Sequence, residues 1–301
     1  NQSSKEIRYI NNIYTITEWN NADDAANLVE GNVALNTNPI LEENTFEVVE
    51  DLSNMGINIS SYVPVGFKDR NGNLVNRNAP SIGAISSTPI FLNSKIFLEG
   101  AFENNGMNTV LRDNGLIPTY QPYKNNPWNY SGTESVNSIP TGVVDWVLIE
   151  IRSDTSSASI VSRRAAFIKA DGSIVDVDGN RKVAMNVNAG NYYIVIQHRN
   201  HLPVMSANKI ALSSSSPLYD FTTSPGQYFG KGAADLGNGK FGMLAGDGNS
   251  NGSINFLDYE IVGNNLFQNG YRSEDLDMNG VVNVIDYGKI SMNLLKASKV
   301  P

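Results

Sequence analysis

The stretch GDGNSNGSINFLDY, Gly246 to Tyr259, sets an oxygen-bearing side chain at every second position and breaks the series with a glycine. EDLDMNGVVNVIDY, Glu274 to Tyr287, repeats the pattern. Alignment puts Asp247 on Asp275, Asn249 on Asp277, Asn251 on Asn279, Gly252 on Gly280, Ser253 on Val281, Asn255 on Asn283 and Asp258 on Asp286, an offset of 275 − 247 = 28 residues. A hard cation such as Ca²⁺ takes about six to eight oxygens, and a twelve-residue loop supplies them from positions 1, 3, 5, 7, 9 and 12, the seventh through its backbone carbonyl and the ninth often through water. The glycine at position 6 lets the chain turn through a left-handed conformation. Both copies fill every slot, with Asp in place of Glu at the last. Each then runs into a short segment, YEIVGNNL or YGKISMNLL, that reads as helix. Two Ca²⁺ ions are therefore expected. The first would be held by Asp247, Asn249, Asn251, Ser253, Asn255 and Asp258, the second by Asp275, Asp277, Asn279, Val281, Asn283 and Asp286. Loop one carries two carboxylates and loop two carries three, so loop two should bind more tightly and fill first.

The rest of the composition agrees with a cation. The 301 residues include 22 basic and 30 acidic side chains, a net charge of −8, which argues against nucleic acid and anionic membranes as partners. Hydrophobic residues make up 41% and charged residues 17%, a globular balance. Cysteine is absent, which excludes disulfides, thiolate zinc sites and cysteine nucleophiles. A cysteine-free chain rich in Asn, Ser, Thr and Gly fits an exported bacterial protein. No run approaches the roughly 20 apolar residues that cross a bilayer. Asn1 opens with neither Met nor an apolar signal core, so the sequence reads as part of a longer polypeptide.

Upstream of residue 255, short apolar runs separated by Asn, Gly, Pro and Ser dominate and read as strands and turns, so the chain should be mainly β. Residues 1–87 are Asn-rich, with a short strand expected around Phe46 and Val48. Residues 88–225 read as one β-sandwich built on VVDWVLIEIRSD, RRAAFIKADGSIVDVDG and GNYYIVIQHRNHLPVM, with tight turns at Asp171-Gly172 and Asp178-Gly179. Residues 226–240 are Gly-rich and read as a linker, and 241–301 hold the paired loops.

Three resemblances sharpen these regions. NPILEEN and GINIS, followed by DRNGNLVNRNAPSIGA, resemble the last coils of secreted right-handed parallel β-helix proteins. The succession IFLEGAF, LRDNGLIP, QPY, VDWVLIEIR, RRAAFIKADGSIVDVDG, YYIVIQHRNHLPVMS and YDFT is similar to a sandwich module of large Bacteroidetes surface proteins. The doubled loop and helix resembles a dockerin, a paired EF-hand-type module that plugs into cohesin domains. The implied fold is the end of a β-helix, then a sandwich, then a small α-helical calcium module. The chain departs from the dockerin pattern where a Ser-Thr-like pair commonly meets cohesin: Phe256-Leu257 and Val284-Ile285 stand there. These apolar pairs either dock onto a protein partner or are buried against the sandwich, and burial is the expectation. The tail NLLKASKVP also resembles the end of those surface proteins, which implies a cell-surface or extracellular location, outer-membrane association and type IX export.

Catalytic signals are sparse. His198 and His201 lie three apart at a strand end, a spacing that should not put both rings on one face, and are expected to bond the turn. Glu99 with Glu103, and Asp145 with Glu150, are close carboxylates of a kind that can hydrolyse glycosides, but solvated strand-end positions are the expectation. Neither a G-x-S-x-G nor a phosphate loop occurs. IPTYQPYKNNPWNYSG gathers Tyr120, Tyr123, Trp128 and Tyr130, whose rings could stack on sugars or lie flat over the sandwich. The leading expectation is a non-enzymatic calcium-binding end of an exported surface protein, serving adhesion, anchoring or docking to a protein partner or the export machinery. The alternative is a carbohydrate-binding accessory tail of a β-helix polysaccharide lyase or hydrolase.

Overall fold

The computed structural model describes residues 8–10, 13–15, 28–30, 33–35 and 90–301. The chain divides into two units, Asn1–Pro89 and Ile90–Pro301. In the first, β1 (Arg8–Ile10) pairs in parallel with β3 (Leu28–Glu30), and β2 (Ile13–Thr15) with β4 (Val33–Leu35). Arg8 faces Leu28 and Ile13 faces Val33, so both pairs are offset by the same distance, 28 − 8 = 33 − 13 = 20 residues. The strand expected at Phe46 and Val48 and the closure GFKDRNGNLVNRNAPSIGAISS lie outside the described residues.

The second unit opens with three short strands in one run, β5 (Ile90–Leu92), β6 (Ser94–Lys95) and β7 (Phe97–Leu98). The hairpin β8 (Phe102–Glu103) and β9 (Gly106–Met107) and a one-turn helix α1 (Val110–Asp113) follow. The main sheet is then laid down by β10 (Val143–Arg152), β11 (Ile160–Lys169), β12 (Ile174–Val175), β14 (Gly190–Gln197) and β15 (Val204–Met205), in the order β12-β11-β10-β14-β15. Between β12 and β14 comes β13 (Val183–Met185), and β16 (Ile210–Leu212) joins the far end of β14.

All ten residues of β10 are buried, so the strand is covered on both faces. Its sequence requires this, since VVDWVLIEIR carries large apolar residues at both parities. One cover is the opening run. β5 pairs with β13, β6 lies parallel to β17 (Tyr219–Asp220), and β7 lies parallel to β19 (Lys240–Met243), which pairs with β18 (Ala234–Gly237). Ile90, Leu92, Ile96 and Leu98 share one apolar core with Val147, Ile149 and Phe167, which makes a β-sandwich. Another cover is the aromatic loop: Tyr123 Oη donates to the Trp146 carbonyl (2.8 Å) and Trp146 Nε1 donates to the Pro118 carbonyl (2.9 Å).

The turns expected at Asp171-Gly172 and Asp178-Gly179 are present, with Gly172 at φ +87° and Gly179 at φ +76°. At Gly172 any Cβ would also press on the Ile96 carbonyl, 2.7 Å away. Residues 226–240, read as a linker, instead hold 3-10 turns at Pro225–Gln227 and Phe229–Lys231 and the strand β18. The glycines that suggested flexibility serve these turns: Gly230, Gly237 and Gly239 all have positive φ. Consequently β19 belongs to the sandwich by pairing, although it falls inside the stretch assigned to the loop module.

Two helices close the chain, α2 (Phe256–Asn264) and α3 (Val284–Asn293). Among the described residues no helix is long and apolar enough to cross a membrane. A second apolar cluster joins Ile254, Val262, Leu276, Val282 and Ile290 of this module to Leu202 and Ala234 of the sandwich. Gly100 marks the closest approach, since a Cβ there would lie 2.1 Å from the Leu276 carbonyl.

Candidate metal centre

The two oxygen-rich loops are wired alike. In loop one, Asp247 accepts from the Asn251 and Gly252 amides (3.0 Å each), and Asp258 accepts from the Asn249 amide (3.3 Å) and the Asn255 amide (2.9 Å). In loop two, Asp275 accepts from the Asn279 (3.0 Å) and Gly280 (2.8 Å) amides, and Asp286 from those of Leu276 (2.6 Å), Asp277 (3.1 Å) and Asn283 (2.8 Å). Asn255 and Asn283 cap α2 and α3, each in a reciprocal capping box with the terminal Asp. The glycines at position 6 adopt the left-handed conformation expected of them, φ +82° at Gly252 and +90° at Gly280. The residue at position 4 is also left-handed in both copies, Ser250 at φ 57° and Met278 at φ 60°, which residue type alone did not reveal.

The structure brings Asp275, Asp277 and Asp286 together, with one carboxylate oxygen from each within 4.8 Å of the others. Loop one carries two carboxylates, Asp247 and Asp258, with Asn249, Asn251, Ser253 and Asn255 as its candidate neutral oxygens. Burial raises Asp247 to about 7, and the Asp258 charge adds to this against the Gly252 and Asn251 amides. Burial likewise raises Asp275 to about 7, aided by Asp286 and Asp277 and opposed by Arg199. An all-oxygen donor set that repels itself and is held by backbone amides fits a hard divalent cation. Of the twelve expected donors, the structure groups the carboxylates Asp275, Asp277 and Asp286.

Each loop is braced by the segment that follows the opposite helix. Residues 267–270, after α2, pair with loop two: Phe267 N–H donates to Val282 O (2.8 Å) and Val282 N–H donates to Gln268 O (2.9 Å). Residues 294–298, after α3, pair with loop one through Ile254 N–H to Lys296 O (2.8 Å) and Ser298 N–H to Gly252 O (2.9 Å).

The apolar pairs are not buried against the sandwich. Phe256 and Val284 are each 70% exposed, and Leu257 and Ile285 are exposed beside them. The same 28-residue step relates Phe267 to Leu295, which are 78% and 79% exposed and which sequence reading missed. The module meets the sandwich by another side, through Leu276 and Val262. The exposed trio Phe256, Leu257 and Phe267 thus has a counterpart in Val284, Ile285 and Leu295.

Behind loop two lies a buried polar chain that joins it to the sandwich. The Gly100 amide donates to His201 Nε2 (2.9 Å), so His201 carries its proton on Nδ1, which faces Asn200 Oδ1 (2.7 Å) and His198 Nδ1 (3.0 Å). His198 then carries its proton on Nε2 and donates to Asp145 Oδ2 (3.2 Å). Arg199 Nε (3.0 Å) and Tyr271 Oη (2.6 Å) also donate to Asp145, and Asn200 Nδ2 donates to the Asp275 carbonyl (2.7 Å). Burial depresses both imidazoles; Asp145 opposes this at His198, whereas His198, Arg199 and Lys289 add to it at His201. Burial alone would raise Asp145, but Arg199, His198 and Tyr271 outweigh it and hold the carboxyl at about 2. The two rings therefore do meet, contrary to the expectation from their spacing. The strand ends at Gln197, and past it the alternation of a strand no longer governs where side chains point.

The other candidates have local work. Glu150 is buried between Arg152 and Arg163 (2.7 Å each), and Glu99 accepts from the Ala245 amide (2.9 Å) and Asn293 Nδ2 (2.5 Å). Neither is a solvated strand end, while Glu103 is exposed. Of the four aromatic residues, Tyr123 and Tyr130 are buried in the sandwich core, Trp128 packs against it with one side open, and Tyr120 is exposed. Tyr123 and Tyr130 therefore offer no face to a sugar.

No family model matches the sequence, and no curated protein matches it. Two solved structures of type II cohesin–X-dockerin complexes from Acetivibrio cellulolyticus, an N-terminal and a C-terminal interface mutant, are similar over 50% of this chain and 81% of theirs, at 17% and 19% identity respectively and a TM-score of 0.30 in each case.

Proposed function

We propose that residues 241–301 are a calcium-clamped docking module, without a catalytic role, of an exported bacterial surface protein. The apolar side of α2 and α3 binds a protein partner through an uncharged, apolar patch. The observation that carries this reading is the duplicated exposed trio, Phe256, Leu257 and Phe267 with Val284, Ile285 and Leu295. Large apolar side chains held in solvent at repeat-related positions mark an interaction surface. The identical wiring of the two oxygen-rich loops supports two Ca²⁺ ions, which fix the first turns of α2 and α3 and so aim the trios. The sandwich serves as the rigid mount. Upstream, the equal 20-residue offset of the two parallel strand pairs supports the turns of a solenoid, the end of an adhesive β-helix. A Bacteroidetes origin, an outer-membrane location and type IX export rest on the resemblance of the sandwich motifs and the tail.

The test pairs calorimetry with capture. Calcium titration of the intact chain should give two binding events. An outer-membrane protein captured in calcium should then be released both by chelator and by the double substitution Leu257→Asp with Ile285→Asp. Retention of the captured protein by the double variant would sink the docking reading, and a flat titration would sink the calcium reading.

A further inference from the structure

A cleft of about 380 Å³ lies between the aromatic loop and the start of both oxygen-rich loops, within the roughly 300–1,000 Å³ range of small-ligand sites. One wall is Asn126 to Trp128; the other is Gly248 to Ser250 with Ser273 and Glu274. Trp128 is only partly buried, and its ring is fixed edge-on against Tyr123 (centroids 5.0 Å, 83°). Among the described residues, the side chains of Asn126, Ser273 and Glu274 take no hydrogen-bond partner. Asn249 commits its Oδ1 to the Asn251 amide (3.0 Å) and leaves Nδ2. In the floor, Arg199 is more than nine-tenths buried and spends Nε on Asp145 and Nη1 on the Arg272 carbonyl, but Nη2 has no partner in the protein. A buried guanidinium N–H without an acceptor costs free energy, and this nitrogen is closed off from solvent, so the groups free to meet a ligand are those of the walls.

We infer that this cleft binds a neutral saccharide. The surrounding groups comprise both donors and acceptors: the amides of Asn126 and Asn249, the hydroxyl of Ser273 and the carboxylate of Glu274. A ligand rimmed with hydroxyls, each both donor and acceptor, satisfies such a set, while its C–H face packs on an indole. Glu274, the carboxylate in the wall, disfavours an anionic sugar. Of the rings singled out by sequence, Trp128 alone lines the site, and part of its polar wall comes from 273 − 128 = 145 residues downstream, at Ser273 and Glu274. This site is distinct from the apolar trios and stands whether or not they dock a protein.

Affinity electrophoresis of the intact chain, in calcium, tests the inference with gels containing xylan, xyloglucan, mixed-linkage β-glucan or galactomannan, and polygalacturonan as the acidic comparison. The expected result is retardation by at least one neutral polysaccharide, weakened at least tenfold in Trp128→Ala and in Glu274→Gln and unchanged in Tyr120→Ala, whose exposed ring lies outside the cleft. Trp128→Ala removes a ring that packs on the core, so Asn126→Ala, at an exposed position, provides a variant that leaves the fold alone and should weaken binding in the same direction. Retardation by no neutral polysaccharide, retardation by polygalacturonan alone, or binding indifferent to Glu274→Gln and Asn126→Ala would each overturn it. So would capture on a peptide array with no glycan bound.

Discussion

Asp277→Asn gives the second loop the donor set of the first, because Asn249 occupies that position there. The amide is isosteric and can still accept the Asn279 N–H that Asp277 Oδ1 accepts (3.1 Å), but its nitrogen replaces the oxygen that accepts from Asn279 Nδ2 (2.8 Å), so that bond is lost with the charge. Calorimetry on the native chain should resolve a tighter and a weaker Ca²⁺ event. In the variant the tighter one should weaken about tenfold or more towards the other, since ligand charge sets affinity. A tighter event that survives the substitution would place it in loop one. Gly100→Ala probes a different contact. Its Cβ would lie 2.1 Å from a backbone carbonyl that sits between Asp275 and Asp277, so the module must shift off the sandwich. The expected cost is about 3 kcal/mol or more in chemical denaturation, at or beyond the upper end for overpacking because the obstacle is backbone. Residue-scale chemistry was legible where it is local. The turns and amide bonds of each loop and the cluster of Asp275, Asp277 and Asp286 follow from spacing within a loop, whereas the His198–His201 pair depends on Asp145, 53 residues away, and on a chain that has already left its strand.

At the scale of elements, the 28-residue repeat holds beyond the loops. The segment after each helix crosses to brace the opposite loop, so residues 294–298 stand to loop one as 267–270 stand to loop two. Truncation after Asn293 would remove the Lys296 and Ser298 partners of Ile254 and Gly252 while leaving every metal donor in place. The weaker Ca²⁺ event should then be lost or fall by an order of magnitude or more, with the tighter one nearly unchanged, as titration of the truncated chain will read. Equal weakening of both events would mean that the tail acts on the module as a whole. Exposure was the feature of these helices that sequence misjudged. The first-turn pairs are apolar enough for a core. Yet α2 and α3 bury Val262 and Ile290 and stack Tyr259 on Tyr287 (5.5 Å), while Leu276 of loop two meets the sandwich, which leaves the first turns pointing outward. Which side of a short helix is covered depends on its neighbours, and the 28-residue spacing alone does not specify them.

On the scale of the molecule, residues 90–301 are one unit because pairing and burial cross the boundary that the glycines suggested. β19 pairs with β7 at the opposite end of this unit, a contact between residues about 145 apart that no local pattern announces. One cooperative transition is therefore expected for this unit, and chelation should lower its midpoint without splitting off a separate melt of 241–301. Loss of one Ca²⁺ held at a hundred times its Kd costs about 2.7 kcal/mol. The buried chain from Gly100 to Asp145 makes the same unit sensitive to acid. His198 and His201 are depressed by burial, so below the ordinary histidine value of 6.5 the unfolded chain takes up protons that the folded chain refuses. Their contribution is complete above pH 6.5 and is lost as pH falls towards their folded values, at up to about 1.4 kcal/mol per pH unit for each ring. Asp145, held at about 2, contributes stability above 3.8 that disappears only as pH falls through about 2, so it does not enter the same window. His201→Gln keeps an oxygen for the Gly100 amide and removes one titrating ring from beside His198, Arg199 and Lys289. Urea denaturation at pH 7.5 and 5.5, in one calcium concentration, should show a smaller loss of stability in the variant than in the native chain. Because the loop carboxylates are common to both, the difference isolates the histidine, and an identical loss in the two would show that His201 is protonated within the fold.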